Sequence, residues 1–187
     1  MAVVILIPCL GACGGSPAAS SHRPRAVRGS SAIRLLPCGE TIGGQRPWQG
    51  MSVVLGVVAL PASPQMRRAL QTALTGPRDS AARLFAKEGL LVRSGARFEL
   101  TVPTPLRDRL AIGWGNAGEG HLGSTIRVPG CRRGHGERWL AFAGGYYVHN
   151  PMCAQLIVDA RGLRRRVWIG VGKACPGQLP PPQPTQP

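Results

Sequence analysis

Apolar and polar residues alternate most clearly between Cys131 and Cys175. Arg164-Arg-Arg-Val-Trp-Ile-Gly-Val171 sets Arg165, Val167, Ile169 and Val171 against Arg164, Arg166, Trp168 and Gly170, the period of two that marks a half-buried strand. Trp139 to Phe142 and Cys153 to Val158 read as strands too, and turn chemistry bounds each run: Gly144-Gly145, His149-Asn150-Pro151, Asp159 to Gly162 and Cys175-Pro176-Gly177. Upstream, Ser52 to Leu60 is a short, nearly continuous, valine-rich run suited to a buried strand. Leu84 to Arg93 and Arg97 to Val102 predict two strands joined by a tight turn at Ser94-Gly95-Ala96, with Phe98, Leu100 and Val102 on one face. Leu110 to Trp114 and Ser124 to Val128 predict two more around a loop from Gly115 to Gly123. One segment changes period: Ser63 as N-cap, Pro64 at the first helical position, then Met66, Ala69, Leu70, Ala73 and Leu74, with Gly76-Pro77 as the stop, predict a short helix from Pro64 to Thr75. About eight short strands at turn-punctuated spacing predict a mainly β fold, an antiparallel β-sandwich of Ig-like architecture with at most one or two short helices.

The ends of the chain lack this patterning. Met1 to Leu10 is an apolar run too short to span a bilayer and followed by small residues, so that 1–13 read as a signal peptide. Residues 14–37 are rich in Gly, Ser, Ala and Pro and carry Arg23, Arg25, Arg28 and Arg34, which predicts a flexible basic tether. The sandwich is expected over 38–176, and the proline-rich tail 177–187 is expected to be disordered. With 187 residues, of which 26 are Gly and 18 Pro, there is room for one turn-rich domain and such tails.

Cysteine use changes the picture of the compartment. With Cys9 and Cys13 set aside in the leader, Cys38, Cys131, Cys153 and Cys175 remain, and an even number in an exported chain implies two disulfides. Three pairings are possible; the expected one is Cys131–Cys153, bracing the Trp139 strand, with Cys38–Cys175 tying the ends of the fold. Zinc is disfavoured because no Cys-x-x-Cys pair exists to chelate it.

The charge is +15, and Lys87 and Lys173 are the only lysines, so nearly all of the excess is arginine. Codon bias of a GC-rich genome accounts for such a composition most simply. A functional charge would instead gather Arg132, Arg133, Arg164 and Arg166 on one face for an anionic membrane or cell-wall surface. Nucleic acid is not expected as a partner, since an export signal separates the chain from it.

Candidate chemistry is sparse. Gly113-Trp-Gly-Asn-Ala-Gly118 has the spacing of a dinucleotide fingerprint but is followed by turn residues and a strand rather than a helix N-terminus. Gly170-Val-Gly-Lys173 lacks the earlier glycine and the magnesium-ligating hydroxyl of a phosphate loop. His121, His135 and His149 with Glu119 have no ligand-pair spacing, no Gly-x-Ser-x-Gly occurs, and the eight acidic residues are scattered singly, so no cofactor, metal or catalytic residue is predicted. Trp114, Asn116, Glu119, His121, Tyr146 and Tyr147 form the candidate ligand-binding group. The two tyrosines are expected on opposite faces of an extended run, with one exposed to meet a sugar or peptide.

Two resemblances bear on function. Leu10-Gly11-Ala12-Cys13 resembles the lipobox of bacterial lipoproteins, which implies lipidation of Cys13 and anchoring at the outer face of the cell membrane, with plain secretion as the alternative. No basic residue precedes Val3, a departure from the lipobox pattern that implies either a start codon assigned too far downstream or a chance match. Through Gly113-Trp-Gly-Asn116 and the Cys153 to Cys175 region, the mature part resembles uncharacterised exported β-sandwich proteins of high-GC Gram-positive bacteria, a family that implies no activity. The expected function is therefore a non-catalytic, envelope-anchored binding domain for an envelope polymer or an exported protein. An exported hydrolase with its site in the Trp114 to Gly123 loop is the alternative.

Overall fold

The computed structural model describes residues 33–75, 82–115, 122–132, 134, 136 and 138–182. The fold is mainly β, with several largely antiparallel sheets around a main core and a smaller cluster of Met51, Ala59, Leu91 and Ala141, consistent with the expected sandwich. Its strands are β1 (Ile33–Leu35), β2 (Thr41–Gly44), β3 (Ser52–Val54), β4 (Val58–Leu60), β5 (Ala73–Leu74), β6 (Leu84–Lys87), β7 (Leu90–Arg93), β8 (Arg97–Thr101), β9 (Leu110–Trp114), β10 (Thr125–Pro129), β11 (Trp139–Phe142), β12 (Gly144–Val148), β13 (Met152–Ala160) and β14 (Leu163–Val171). Two 3-10 turns, Cys38–Glu40 and Thr104–Leu106, are the only helical elements among the described residues.

The strands form three sheets, ordered β1-β10-β8-β13-β14, β2-β11-β7-β4-β3 and β5-β6-β12-β9. The second and third are two halves of one bent ladder. Leu90 of β7 lies opposite Phe142 of β11, and Lys87 of β6 lies opposite Gly145 of β12, so both chains advance three residues across the corner without a register slip. The corner is closed by the Glu88 N–H donating to the Gly144 carbonyl (2.9 Å) and the Gly115 N–H donating to the Ala143 carbonyl (2.9 Å). Strands that change sheet at a bend let a small barrel-like core close without long connections. The run Leu84 to Arg93, a single strand by its pattern, is divided between two sheets by this corner, and Ser52 to Leu60 is a hairpin whose turn places Leu55 (φ 49°) and Gly56 (φ 68°) in the left-handed region.

Four expectations need correction. The helix from Pro64 to Thr75 is absent. Of its five apolar positions only Ala69 is buried, and an isolated short helix without a buried face is marginal in water. The segment runs irregularly along β14 instead, with the Ser63 and Leu70 N–H groups donating to the Trp168 and Gly170 carbonyls (both 2.8 Å) and the Gly172 N–H donating to the Leu70 carbonyl (2.8 Å). The fold begins before Cys38: β1 pairs in parallel with β10 and Leu36 is buried, so the apolar end of the supposed tether 14–37 belongs to the sheet. The start of the supposed disordered tail 177–187 is docked, since the Leu179 N–H donates to the Arg67 carbonyl (2.8 Å), the Ala69 N–H to the Leu179 carbonyl (3.0 Å) and Arg68 Nη1 to the Pro180 carbonyl (2.9 Å).

The fourth correction is the disulfide pairing. Two bridges form from the expected four cysteines, but instead of Cys131–Cys153 and Cys38–Cys175 they join Cys38 to Cys131 and Cys153 to Cys175, with Cα atoms 5.1 and 4.9 Å apart. Register is the cause. Parallel pairing of β1 with β10 ends with Leu35 beside Arg127 and the Leu36 N–H on the Arg127 carbonyl, which carries Cys38 to the chain just beyond β10. Cys153 lies opposite Gly170 at the open end of the β13–β14 hairpin, five residues before Cys175.

Candidate functional site

The aromatic group predicted to bind ligand is largely core. Trp114 and Tyr146 are buried and meet edge to face with centroids 5.3 Å apart, and the Trp114 indole N–H donates to the Glu88 carbonyl oxygen (2.8 Å). Tyr147 does point to the face opposite Tyr146, but it too is buried. β12 lies inside its sheet, between β6 and β9, and Phe85 of β6 stacks on the Tyr147 ring at 4.6 Å. The expectation of one exposed tyrosine is therefore incorrect. Asn116, Glu119, His121 and His135 lie outside the described residues, as do Cys13 and Arg133. Among the described residues no three His, Cys, Asp or Glu side chains gather as metal ligands.

The buried aromatics do expose a feature that sequence reasoning missed. Tyr146 Oη is fully enclosed and has no hydrogen-bond partner among the described residues. Burial pushes its pKa well above the ordinary phenol value, and the charge of nearby Glu88 pushes it further. Glu88 sits at the sheet corner, where burial lifts its carboxyl from the ordinary 4.5 to about 7 against a smaller opposing pull from the Gly89 N–H (3.1 Å). Folded Glu88 thus holds its proton to a higher pH than the unfolded chain does. Its favourable contribution is complete below about pH 4.5 and is lost as pH rises to about 7. Unfolding free energy is expected to fall across that window by on the order of 2 kcal/mol, allowing for partial solvent screening. Urea melts at stepped pH should show this slope in the native chain and its loss in Glu88→Gln. An unchanged slope in the variant would remove Glu88 as its source.

The more promising surface is the outer face of the first sheet. Successive registers place Arg164 of β14 opposite Asp159 of β13, Asp159 opposite Glu99 of β8, and Glu99 opposite Arg127 of β10, so one row crosses four strands with cations at both ends. Two carboxylates facing each other across strands repel. Each is drawn outward by its own arginine: Arg127 Nε to Glu99 Oε1 is 2.7 Å, and Arg164 contacts Asp159 through Nε at 2.6 Å and Nη2 at 3.2 Å. Exposed pairs of this kind contribute little stability, but a bidentate contact holds a guanidinium in place. Arg97 follows on β8 and Arg161 on the β13–β14 turn, and the six charged side chains border an open groove of about 900 Å³ together with Pro129 and Leu163. Among the described residues Arg97 and Arg161 make no ion pair, so four guanidinium groups outnumber two carboxylates there.

The expected anionic-surface residues are distributed as follows. Arg164 and Arg166 share the outer face, as alternate strand residues must, and Arg166 stands opposite Ile157 in the next row. Arg132 lies against the β7–β8 turn, its Nε 3.0 Å from where a Cβ on Gly95 would stand. Other arginines serve structure: Arg107 Nε donates to the Val102 carbonyl (3.2 Å) and Arg34 Nε to the Leu122 carbonyl (3.4 Å). Arg97 and Arg127 are not singled out by the sequence. Alternation places Arg97 and Glu99 opposite Phe98 and Leu100, which was a usable signal, but the row itself depends on register between strands distant in sequence. Compared with protein-family models, curated proteins and solved structures, the chain matches none.

Proposed function

We propose that this chain is a non-catalytic binding domain, anchored to the cell envelope through Cys13, that uses the arginine-lined groove of its first sheet to take an anionic envelope polymer. The groove of Arg97, Arg127, Arg161 and Arg164 carries the reading. Its guanidinium groups are spaced along a shallow face rather than converging on a point, which suits a chain of repeated phosphates or carboxylates. Two disulfides are compatible with an extracytoplasmic protein, and among the described residues no helix is long and apolar enough to cross a membrane. The lipobox-like Leu10 to Cys13 supports anchoring, and the arginines between Cys13 and Ile33 would add attraction to anionic headgroups beside the lipid.

The chain with Cys13→Ser, which removes the acylation site, should bind immobilised long-chain polyphosphate with an affinity that falls steeply as salt rises, since screening shortens the field to about 8 Å at physiological ionic strength. Arg97→Glu with Arg161→Glu should weaken binding by about tenfold, roughly 1.4 kcal/mol. Arg46→Glu with Arg67→Glu changes the net charge equally on surfaces outside the groove. Equal losses in the two double variants would reduce the arginines to diffuse charge and defeat the groove as a site.

A further inference from the structure

We infer that the outer edge of β14 is a docking edge for an extended acidic peptide, which adds to the first sheet as a sixth strand. The Trp168 and Gly170 carbonyls turn away from β13 to accept from Ser63 and Leu70, so the even-numbered residues of β14 direct their backbone groups outward. Arg164 and Arg166 lie in the same phase, four and two residues before Trp168, and their outward N–H and C=O groups have no backbone partner among the described residues. The segment 61–72 covers the far end of the edge and leaves Leu163 to Arg166 exposed.

Charged residues on an edge strand often serve only to prevent aggregation. Here a second feature accompanies them. Between the β14 edge and the β3–β4 hairpin runs a groove of about 310 Å³ lined by Val53, Leu55, Gln65, Arg166, Val167 and Trp168. Trp168 is 44% exposed and Val53 51%, so large apolar side chains flank the unpaired backbone. Strand addition uses this combination: main-chain hydrogen bonds for affinity and pockets beside the edge for alternate side chains.

Charge selects the occupant. Arg164, Arg165 and Arg166 are consecutive, and among the described residues Arg165 and Arg166 make no ion pair. A second copy pairing along this edge would set these arginines against their equals. Residues 14–32 of the same chain contain arginines and no acidic residue, and 183–187 are uncharged. A strand of alternating acidic and apolar residues instead sets its acidic side chains beside Arg164 and Arg166 on the outer face and turns its apolar side chains to the other face, beside Val167.

The test uses the whole chain with Cys13→Ser and a fluorescent Gly-Glu-Val-Asp-Val-Glu-Gly peptide, followed by anisotropy. Binding is expected, with a loss of at least about tenfold when alternate peptide amides are N-methylated, a change that keeps every charge but removes strand hydrogen bonds. Arg165→Glu with Arg166→Glu should also lose at least about tenfold, with an unchanged unfolding transition as the control for folding. Equal binding of methylated and unmethylated peptides would overturn strand addition and leave only charge attraction. Equal binding of a peptide with lysine at the acidic positions, absence of binding, or dimerisation of the chain through this edge in sedimentation would overturn the proposal as a whole. The methylation arm is read on the unsubstituted edge, so it stands even if the arginine variant fails to fold.

Discussion

Replacing Cys38 and Cys131 together by serine is expected to lower the unfolding free energy by about 4–5 kcal/mol, and replacing Cys153 and Cys175 by only about 3. The difference follows from sequence separations of 93 and 22, since a longer closed loop removes more freedom from the unfolded chain. The folded side adds to the contrast. Cys153–Cys175 closes the end of a hairpin already held by nine paired positions, whereas Cys38–Cys131 secures β1, a three-residue edge strand with every residue exposed. A domain stable by about 5–15 kcal/mol has little to spare against the first loss. Urea melts of the oxidised chain and the two double variants would measure both. A larger effect from the shorter loop would mean that native strain or unfolded-state structure, and not chain entropy, sets the order.

The two bridges also show what was legible in the chain and what was not. The oxidation of Cys38, Cys131, Cys153 and Cys175 follows from composition, but their partners depend on β1 pairing in parallel with β10, an association of segments about ninety residues apart with no local signal. Strand positions from Arg97 onward follow their alternation closely, because each has one face on the core: Phe98 and Leu100 in, Arg97 and Glu99 out. Where a strand is covered on both faces the same alternation misleads, as at Tyr147, which Phe85 covers. The apolar spacing from Met66 to Leu74 has a helical period, yet those residues have no surface on which to bury as a helix, and other chain segments offer backbone partners: β14 to Leu70, the tail at Leu179 to Ala69, and β6 to Ala73 and Leu74. The arginine groove was half legible: face membership is local, while the row from Arg164 to Arg127 is a product of three registers.

Gly145→Ala is expected to destabilise the fold by about 3 kcal/mol or more, the upper end of what an inserted methyl does in a packed interior. A Cβ at this position would run into the Ala86 carbonyl oxygen and stand 2.8 Å from Phe85 Cε2. The first of these is backbone in the adjacent strand, so relief requires β6 and β12 to separate where the ladder bends. Gly39→Ala, whose Cβ would meet nothing within 4 Å, is the control and should stay within about 0.5 kcal/mol of the parent. The corner also encloses Glu88, whose backbone carbonyl receives the Trp114 indole and whose N–H donates to Gly144. Forcing the strands apart there admits water to the carboxyl and returns its pKa toward 4.5, so Gly145→Ala should flatten the pH dependence of stability between pH 4.5 and 7 as well as lower its level. A variant that is destabilised but keeps the full pH slope would place the strain away from the corner, with the Glu88 environment intact.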